Sequence, residues 1–522
     1  MNMPAYDRDA LLDLAADYLH GTIPAADGAR LEALLEANPA ARREFVDYCM
    51  LHGQIALSTT AVGPGGARRR AGGPLPGLGR VAAVLGGLVL AAASLMLLVT
   101  AGREEPLPLN PVPGSYDTRQ LPLVTVASLE VDGEASRPLS PSTLRPDKAT
   151  ALRSASGADV NVAQSAVFGV TARDAGALYG GSVQARLTEP DANFSVTAAN
   201  LRIVDKGTAF RVDRIDDEHV AVTVLDGEVE VQSRVRLPVC YWPFDDAMAG
   251  SASTADVVGG LSATLGSGAM PVPGLVGSGA VRFDNTRPAE ATIAGGTGDE
   301  VGTGLLAMAE GITLEAMVVS AWSGRFKDYD EIYRKEDGDA RVLLSFQNDG
   351  ANFGEYTEPA VPPGPCLSFG LHLAGRGYRE LDMPLDGLDG RPTLAEITDG
   401  KPHHVVATYD SFTGCKAIFI DGRKRFENVY PVGTLVRCGG PAAAEIGNSR
   451  GGEPFSGVID EFAIYDFSLT PAEIEEHHAR VLVGHTYFGA DPPAPGTPRW
   501  QAVTRLVEGQ SRVFNQATGL AR

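Results

Sequence analysis

Two adjacent pairs of residues carry the side chains best suited to chemistry. His403-His404 offers two imidazoles, and Asp460-Glu461 offers two carboxylates. Both pairs sit in text that alternates like a β-strand. Neighbouring strand residues point to opposite faces, so neither pair is expected to act on one ion or one substrate atom. Trp242, Trp322 and Tyr378 could stack on a sugar ring, although aromatics in a β-sandwich more often fill the core. Catalytic signatures are missing. The chain has no Gly-x-Ser-x-Gly, no phosphate loop and no Cys-x-x-Cys. Cys49 and His52 are spaced i, i+3, but without a following cysteine pair they make no zinc site. The reading is of a protein without enzymatic activity.

The elements that position these residues divide at one stretch. Residues 81–101, VAAVLGGLVLAAASLMLLVTA, contain no charge, Asn, Gln or Pro. At about 1.5 Å per residue such a helix crosses a hydrocarbon core of about 30 Å. Arg68, Arg69, Arg70 and Arg80 precede it, and Arg103 is followed by Glu104 and Glu105. Positive flanks stay inside, so the expected protein is single-pass in a bacterial inner membrane, with its N-terminus cytoplasmic and the rest extracytoplasmic. Ala82/Gly86 and Gly87/Ala91 are small-residue pairs through which two spans could form a homodimer.

Of 522 residues the net charge is −21, which argues against nucleic-acid binding. The excess lies beyond the span, since the first eighty residues hold eight Arg against nine acids. Cys240, Cys366, Cys415 and Cys438 would be outside, where disulfide bonds form. Three complete pairings are open to them.

Residues 1–60 read as a small all-α bundle. One helix runs from Asp7 to His20, a second from Ala25 to Ala37, and a third from Asn38-Pro39 to about Leu57. The stretch LLDLAADYLHGTIPAADGARLEALLEANPAARREFVDY resembles the N-terminal region of FecR-type, anti-sigma regulators. The resemblance implies a cytoplasmic sigma factor as partner. Residues 61–80 are a basic Gly/Pro linker able to touch anionic lipid, and 102–122 are a Pro-rich spacer.

Residues 123–236 read as an antiparallel β unit. Its strands are SVQARL, FSVTAANLRIVD, TAFRVDRI, VAVTVLD and EVEVQS, after a strand at Leu123. Ala135 to Gly157 reads as a low-complexity insertion. NLRIVDKGTAFRVDRIDDEHVAVTVLDGEVEVQS, with Gly207-Thr208-Ala209-Phe210 and Leu225-Asp226-Gly227, resembles the FecR domain. That implies a non-enzymatic module of a signalling protein.

Residues 237–483 form a second all-β unit, a β-sandwich by strand number and spacing. Four pieces in order resemble the LamG-like, concanavalin A-like jelly roll. They are Tyr241-Trp242-Pro243-Phe244-Asp245, GITLEAMV from Gly311, HHVVATYD with IFIDG, and FSGVIDEFAIYDFSLTPAEI from Phe455. The resemblance implies a glycan or protein ligand. Because some relatives hold a structural calcium, it also makes Asp245, Asp246 and Asp460 calcium candidates. Glycosidases of this fold often carry Glu-x-Asp-x-x-Glu on one strand, and no such run is present. Residues 484–522 form a C-terminal tail with no clear role. The functional expectation is a membrane regulator that passes an outside signal to a sigma factor. The alternative is an anchored envelope adhesion protein that binds glycan or protein.

Overall fold

The structure is a computed structural model. It describes residues 141–187, 193–284, 290–294, 297–348, 356–447, 453–489 and 493–516 except 495, together with 519 and 521. It also gives the backbone of Leu123–Thr125 and, near the N-terminus, residues 11, 14, 27, 28, 30, 31, 34 and 41. The chain divides into two compact units, residues 1–116 and 117–522. In the first unit Leu11, Leu31 and Ala41 are helical and buried, one in each expected helix. The expected linker and span, residues 61–101, lie outside the described residues. Among those described, no helix is long and apolar enough to cross a membrane.

The second unit holds two β modules. In the first, alternating Val, Ile and Phe side chains pack inward. Phe168, Leu178, Val196, Ile203, Phe210, Val222 and Val231 are all buried. The stretch FSVTAANLRIVD is not one strand. It turns at Ala199-Asn200 into a hairpin, Ser195–Ala198 against Leu201–Asp205, with Ala199 at φ +51°. The module is not purely antiparallel, because Ser195–Ala198 runs parallel to part of Ala175–Leu187. The stretch expected to be an insertion supplies short strands at Ser142–Leu144 and Thr150–Arg153. Few apolar residues suffice there, because Leu152 enters the core and Leu144 packs against it.

The C-terminal tail completes this module. Trp500–Val507 pairs with Glu228–Arg234, and Ser511–Asn515 pairs with His219–Asp226. Leu506 and Phe514 enter its core. The second module is thus inserted into the first, leaving at Arg234 and returning at Trp500.

Among the described residues the inserted module is two eight-stranded antiparallel sheets enclosing one core that includes Trp242, Phe283, Trp322, Tyr333, Phe346, Phe369 and Phe462. One sheet contains Gly457–Tyr465, Gly311–Ser320 and His403–Asp410 at its centre. The other ends in Asp328–Asp337, Ala340–Asn348, Cys366–Leu373 and Gly377–Pro384. A helix, Pro471–Val481, covers the outer face of the first sheet through Ile474 and Val481. Thr470 and Glu473 cap it reciprocally and Pro471 opens it.

The two modules touch through Tyr179, Leu435 and Phe412. The Tyr179 hydroxyl lies 2.9 Å from Ser411 Oγ. Gly433 closes the contact at φ +81°, where a Cβ would press on Thr143, Tyr179 and Val167.

Candidate functional site

The outer face of the second sheet carries a cleft of about 590 Å³. Its floor is built by strand alternation. On Ala340–Asn348, Arg341, Leu343 and Gln347 face the cleft while Val342, Leu344 and Phe346 face the core. On Gly377–Pro384, Tyr378, Glu380 and Asp382 face out while Leu381 and Met383 face in. Asp328–Asp337 adds Arg334 and Glu336, and its two-residue turn to Ala340 has Gly338 at φ +61°. The segment from Tyr356 extends the sheet edge. The Glu358 amide donates to Glu380 O at 2.8 Å, and the Glu380 amide donates to Tyr356 O at 2.8 Å.

Charge is arranged in a ladder. Glu336 accepts from Arg334 Nε at 2.8 Å and from Arg341 Nη2 at 2.6 Å. Arg334 also donates to Glu331 at 2.6 Å and lies 3.5 Å from Glu453. The Arg341 guanidinium rests 4.8 Å from the centre of the Tyr378 ring. That ring lies across Gly370, where a Cβ would collide with the Tyr378 hydroxyl. Tyr356 meets it edge-on at 6.0 Å. At the far end Gln347 Nε2 reaches Glu380 at 3.3 Å and Asp382 at 3.5 Å, and the Thr357 hydroxyl donates to Asp382 at 2.6 Å. Burial, with Glu453 facing it, pushes the Glu331 carboxyl up to about 9 despite Arg334. Burial also raises Asp382.

A second polar cluster is sealed beneath the helix. Glu315 accepts from His404 Nε2 at 2.8 Å, His477 Nδ1 at 2.9 Å and the Tyr465 hydroxyl at 2.7 Å. Burial opposes charge on Glu315, but the positive His477 and these hydrogen bonds overcome it and hold the carboxyl down to about 2. Glu315 is 0% exposed, so this cluster fixes the helix and meets no ligand from solvent.

The other candidates divide. His404 is sealed in that cluster, while His403 faces Asp421 at 3.0 Å, one inward and one outward. Trp242 and Trp322 are core residues, and Tyr378 lines the cleft. Asp460 and Glu461 do not face opposite ways. A bulge, with Glu461 at φ +51°, brings both under the outer layer. There Asp460 accepts the Leu275 and Val276 amides at 2.8 and 2.9 Å, and the Tyr241 hydroxyl donates to Glu461.

Of the calcium candidates, Asp245 and Asp460 hold the same loop, Asp245 through the Ser278 and Gly279 amides. Asp246 turns instead to the Thr254 hydroxyl and the Ala255 amide. Among the described residues no group of three or more His, Cys, Asp or Glu is placed to hold a metal ion.

The expected disulfides are not formed: none of Cys240, Cys366, Cys415 and Cys438 is disulfide-bonded. All have other partners, Cys240 in the side chain of Asp256. The Met308 amide donates to Cys438 Sγ at 3.0 Å, Cys366 donates to Gln347 O at 3.4 Å, and Cys415 donates to Glu427 at 3.5 Å.

Two antiparallel sheets with a polar cleft on one outer face define a LamG-like, concanavalin A-like jelly roll. Residues 332–475 match the family described as the concanavalin A-like lectin/glucanases superfamily. Those residues include most of the cleft strands, and the match does not extend to residues 123–236, where a FecR domain was expected. No curated protein matches the chain in sequence. Among solved structures the chain is similar to the binding domain of Paraclostridial Mosquitocidal Protein 1, at 13% identity over 48% of this chain and 52% of that one, TM-score 0.34. It is also similar to domain 4 of AbnA, an extracellular arabinanase from Geobacillus stearothermophilus, in complex with arabinotriose. That match has 16% identity over 46% and 97% of the two chains, TM-score 0.30. A third is the botulinum neurotoxin serotype G binding domain, at 12% identity over 46% and 50%, TM-score 0.32. The chain spans about half the length of the two toxin binding domains.

Proposed function

We propose that the inserted jelly roll binds a glycan in the Arg334–Glu380 cleft and that the protein does not turn its ligand over. The observation that carries this reading is the cleft itself. Its volume falls in the usual range for ligand sites, and its lining mixes Tyr, Arg, Gln and carboxylates, which suit a ligand dense in hydroxyl groups. Binding without catalysis is supported by how its acids are used. Glu336 is committed to two arginines, and Asp382 to Thr357 and Gln347. The test is a glycan array probed with the full-length protein and with Gln347→Ala and Arg341→Ala. Loss of the signal in both variants, with unchanged melting, supports the site. Binding that survives both places the ligand elsewhere.

A second reading adds signalling. Residues 81–101 would span the inner membrane, and the FecR-like module would pass ligand occupancy to a sigma factor held by residues 1–60. It is supported by the insertion, because a module entered and left through paired strands has little freedom to swing. The alternative is an adhesion protein whose N-terminal segment is only an anchor. Co-purification of the full-length protein with each sigma factor of the host separates the two. A stoichiometric complex supports relay, and its absence with every sigma factor leaves an anchored glycan-binding protein.

A further inference from the structure

Residues 432–437 touch both the first module and the cleft. Their early part faces the module. The Thr143 hydroxyl donates to Gly433 O, Arg145 donates to Val432 O, and Leu435 packs on Ala177 and Tyr179. Leu435 also fills the space over Gly169, where a Cβ would come within 3.2 Å of it. The last residue of the segment holds the cleft rim. The Arg437 amide donates to His372 O at 2.8 Å, and Arg437 Nη1 reaches both carboxylate oxygens of Asp339 at 2.9 Å. Asp339 and His372 line the cleft, and His372 Nδ1 lies 2.7 Å from Asp339 O. Between Leu435 and Arg437 stands Val436. It is 0% exposed, bridges Leu373 and donates to Ala309 O at 2.9 Å, while Leu435 O accepts from the Ala374 amide at 2.8 Å.

Two residues of chain span at most about 7 Å, so the segment has no slack to absorb a shift at either end. Packed interiors switch between arrangements rather than yielding continuously. The hold on the rim is the weaker of the two. Arg437 commits one nitrogen to both oxygens of an exposed carboxylate, and its Nε is buried with no hydrogen-bond partner, so part of the guanidinium is desolvated with no bond gained. A hydroxyl-bearing ligand that bonds Asp339 competes with that contact. We propose that residues 432–437 are a strap coupling the cleft to the first module, and that release of Arg437 from Asp339 loosens the contact of Leu435 with Tyr179. The ligand as trigger rests on the glycan reading above, and the coupling itself rests on the strap alone.

The experiment is amide hydrogen exchange, read by mass spectrometry on the full-length protein without ligand, with substitutions as the probes. Asp339→Ala removes the rim contact at an exposed residue, and Thr143→Val removes a module contact while keeping the side-chain shape. The expected result is reciprocal. Asp339→Ala speeds exchange in residues 168–179 about threefold or more, and Thr143→Val does the same in residues 338–341. Gln347→Ala, at the other end of the cleft, should leave residues 168–179 unchanged. Exchange that rises only in the module carrying the substitution overturns the strap. So does an equal rise in residues 168–179 with Gln347→Ala, which reports general loosening. Either result leaves the glycan reading standing, because no ligand is used. A silent glycan array overturns the glycan reading and the ligand trigger with it, whatever exchange shows of the coupling.

Discussion

Arg234 and Trp500 are cross-strand partners, and the Arg234 guanidinium lies 4.3 Å from the centre of the Trp500 ring although the entire jelly roll separates them in sequence. Arg202 lies over the same ring at 4.6 Å. Arg234 also faces the Phe467 ring at 5.2 Å and pairs with Asp466 at 2.9 Å. Arg236 then covers Phe467 at 4.2 Å and holds Glu473, the capping residue of the helix, through both oxygens. This alternating stack ties the exit and return of the inserted module to its helix. Each cation–π contact contributes about 0.5–2 kcal/mol.

The tail is therefore structural. Phe514 is 0% exposed in the first module's core. Phe514→Ala should cost about 3–5 kcal/mol, read by thermal or urea unfolding. The loss should appear in the first module, so tryptic cleavage should increase between residues 142 and 234. An unchanged melting curve would mean that Ser511–Asn515 does not belong to that core.

The Glu315–His477 pair makes stability depend on pH from both sides. Glu315 is held to about 2 against an ordinary 4.5, so its contribution is present above 4.5 and lost as pH falls through 2. His477 is raised from 6.5, with burial opposing and Glu315 outweighing it, so its contribution is present below 6.5 and lost as pH rises through the folded value. The pair should stabilise most between 4.5 and 6.5. Glu315→Gln leaves His477 buried without its counter-charge and should cost about 3–5 kcal/mol in that window. A pH series of melting temperatures checks both the position of the maximum and its flattening in the variant.

Glu461 has the opposite sign for a carboxyl. Burial, followed by the charge of Asp460, pushes it up to about 9 from 4.5, so it favours the folded state at low pH and destabilises it progressively as pH rises between those values. Glu461→Gln keeps an acceptor for the Tyr241 hydroxyl and removes the titration. It should gain stability relative to the natural protein from pH 4.5 to pH 9. Added calcium should leave the melting temperature unmoved, because only Asp245 and Asp460 of the three candidates converge on one loop. A rise of several degrees would mean that loop carbonyls complete a coordination shell.

Strands rich in β-branched and aromatic residues were legible in the sequence. HHVVATYD and GVIDEFAIYD fall where their pattern put them. Two of the cleft strands were not. DYDEIYRKED and GYRELDMP are charged and show no plain strand pattern, because strand propensity measures fit to a half-buried surface. Their inward residues, Ile332, Tyr333, Leu381 and Met383, are few but large and fully buried. The signal available was Glu380-x-Asp382, two acids at strand spacing beside a Tyr at the same period. The tail strands were hidden for a related reason. Leu506 and Phe514 are two inward points in polar text, and their partners lie more than half the chain away.

The four thiols outside the first unit give the last prediction. Cys240, Cys366 and Cys438 are buried, and Cys415 is half-buried. Burial pushes Cys438 and Cys415 up to about 11, leaving little thiolate at neutral pH. A thiol reagent should therefore label Cys415 slowly and the other three only after unfolding. Since no bond crosslinks the sheets, a reductant should not move the melting temperature. A fall of several degrees on reduction would show that two of these cysteines pair, against their unbonded state in this structure.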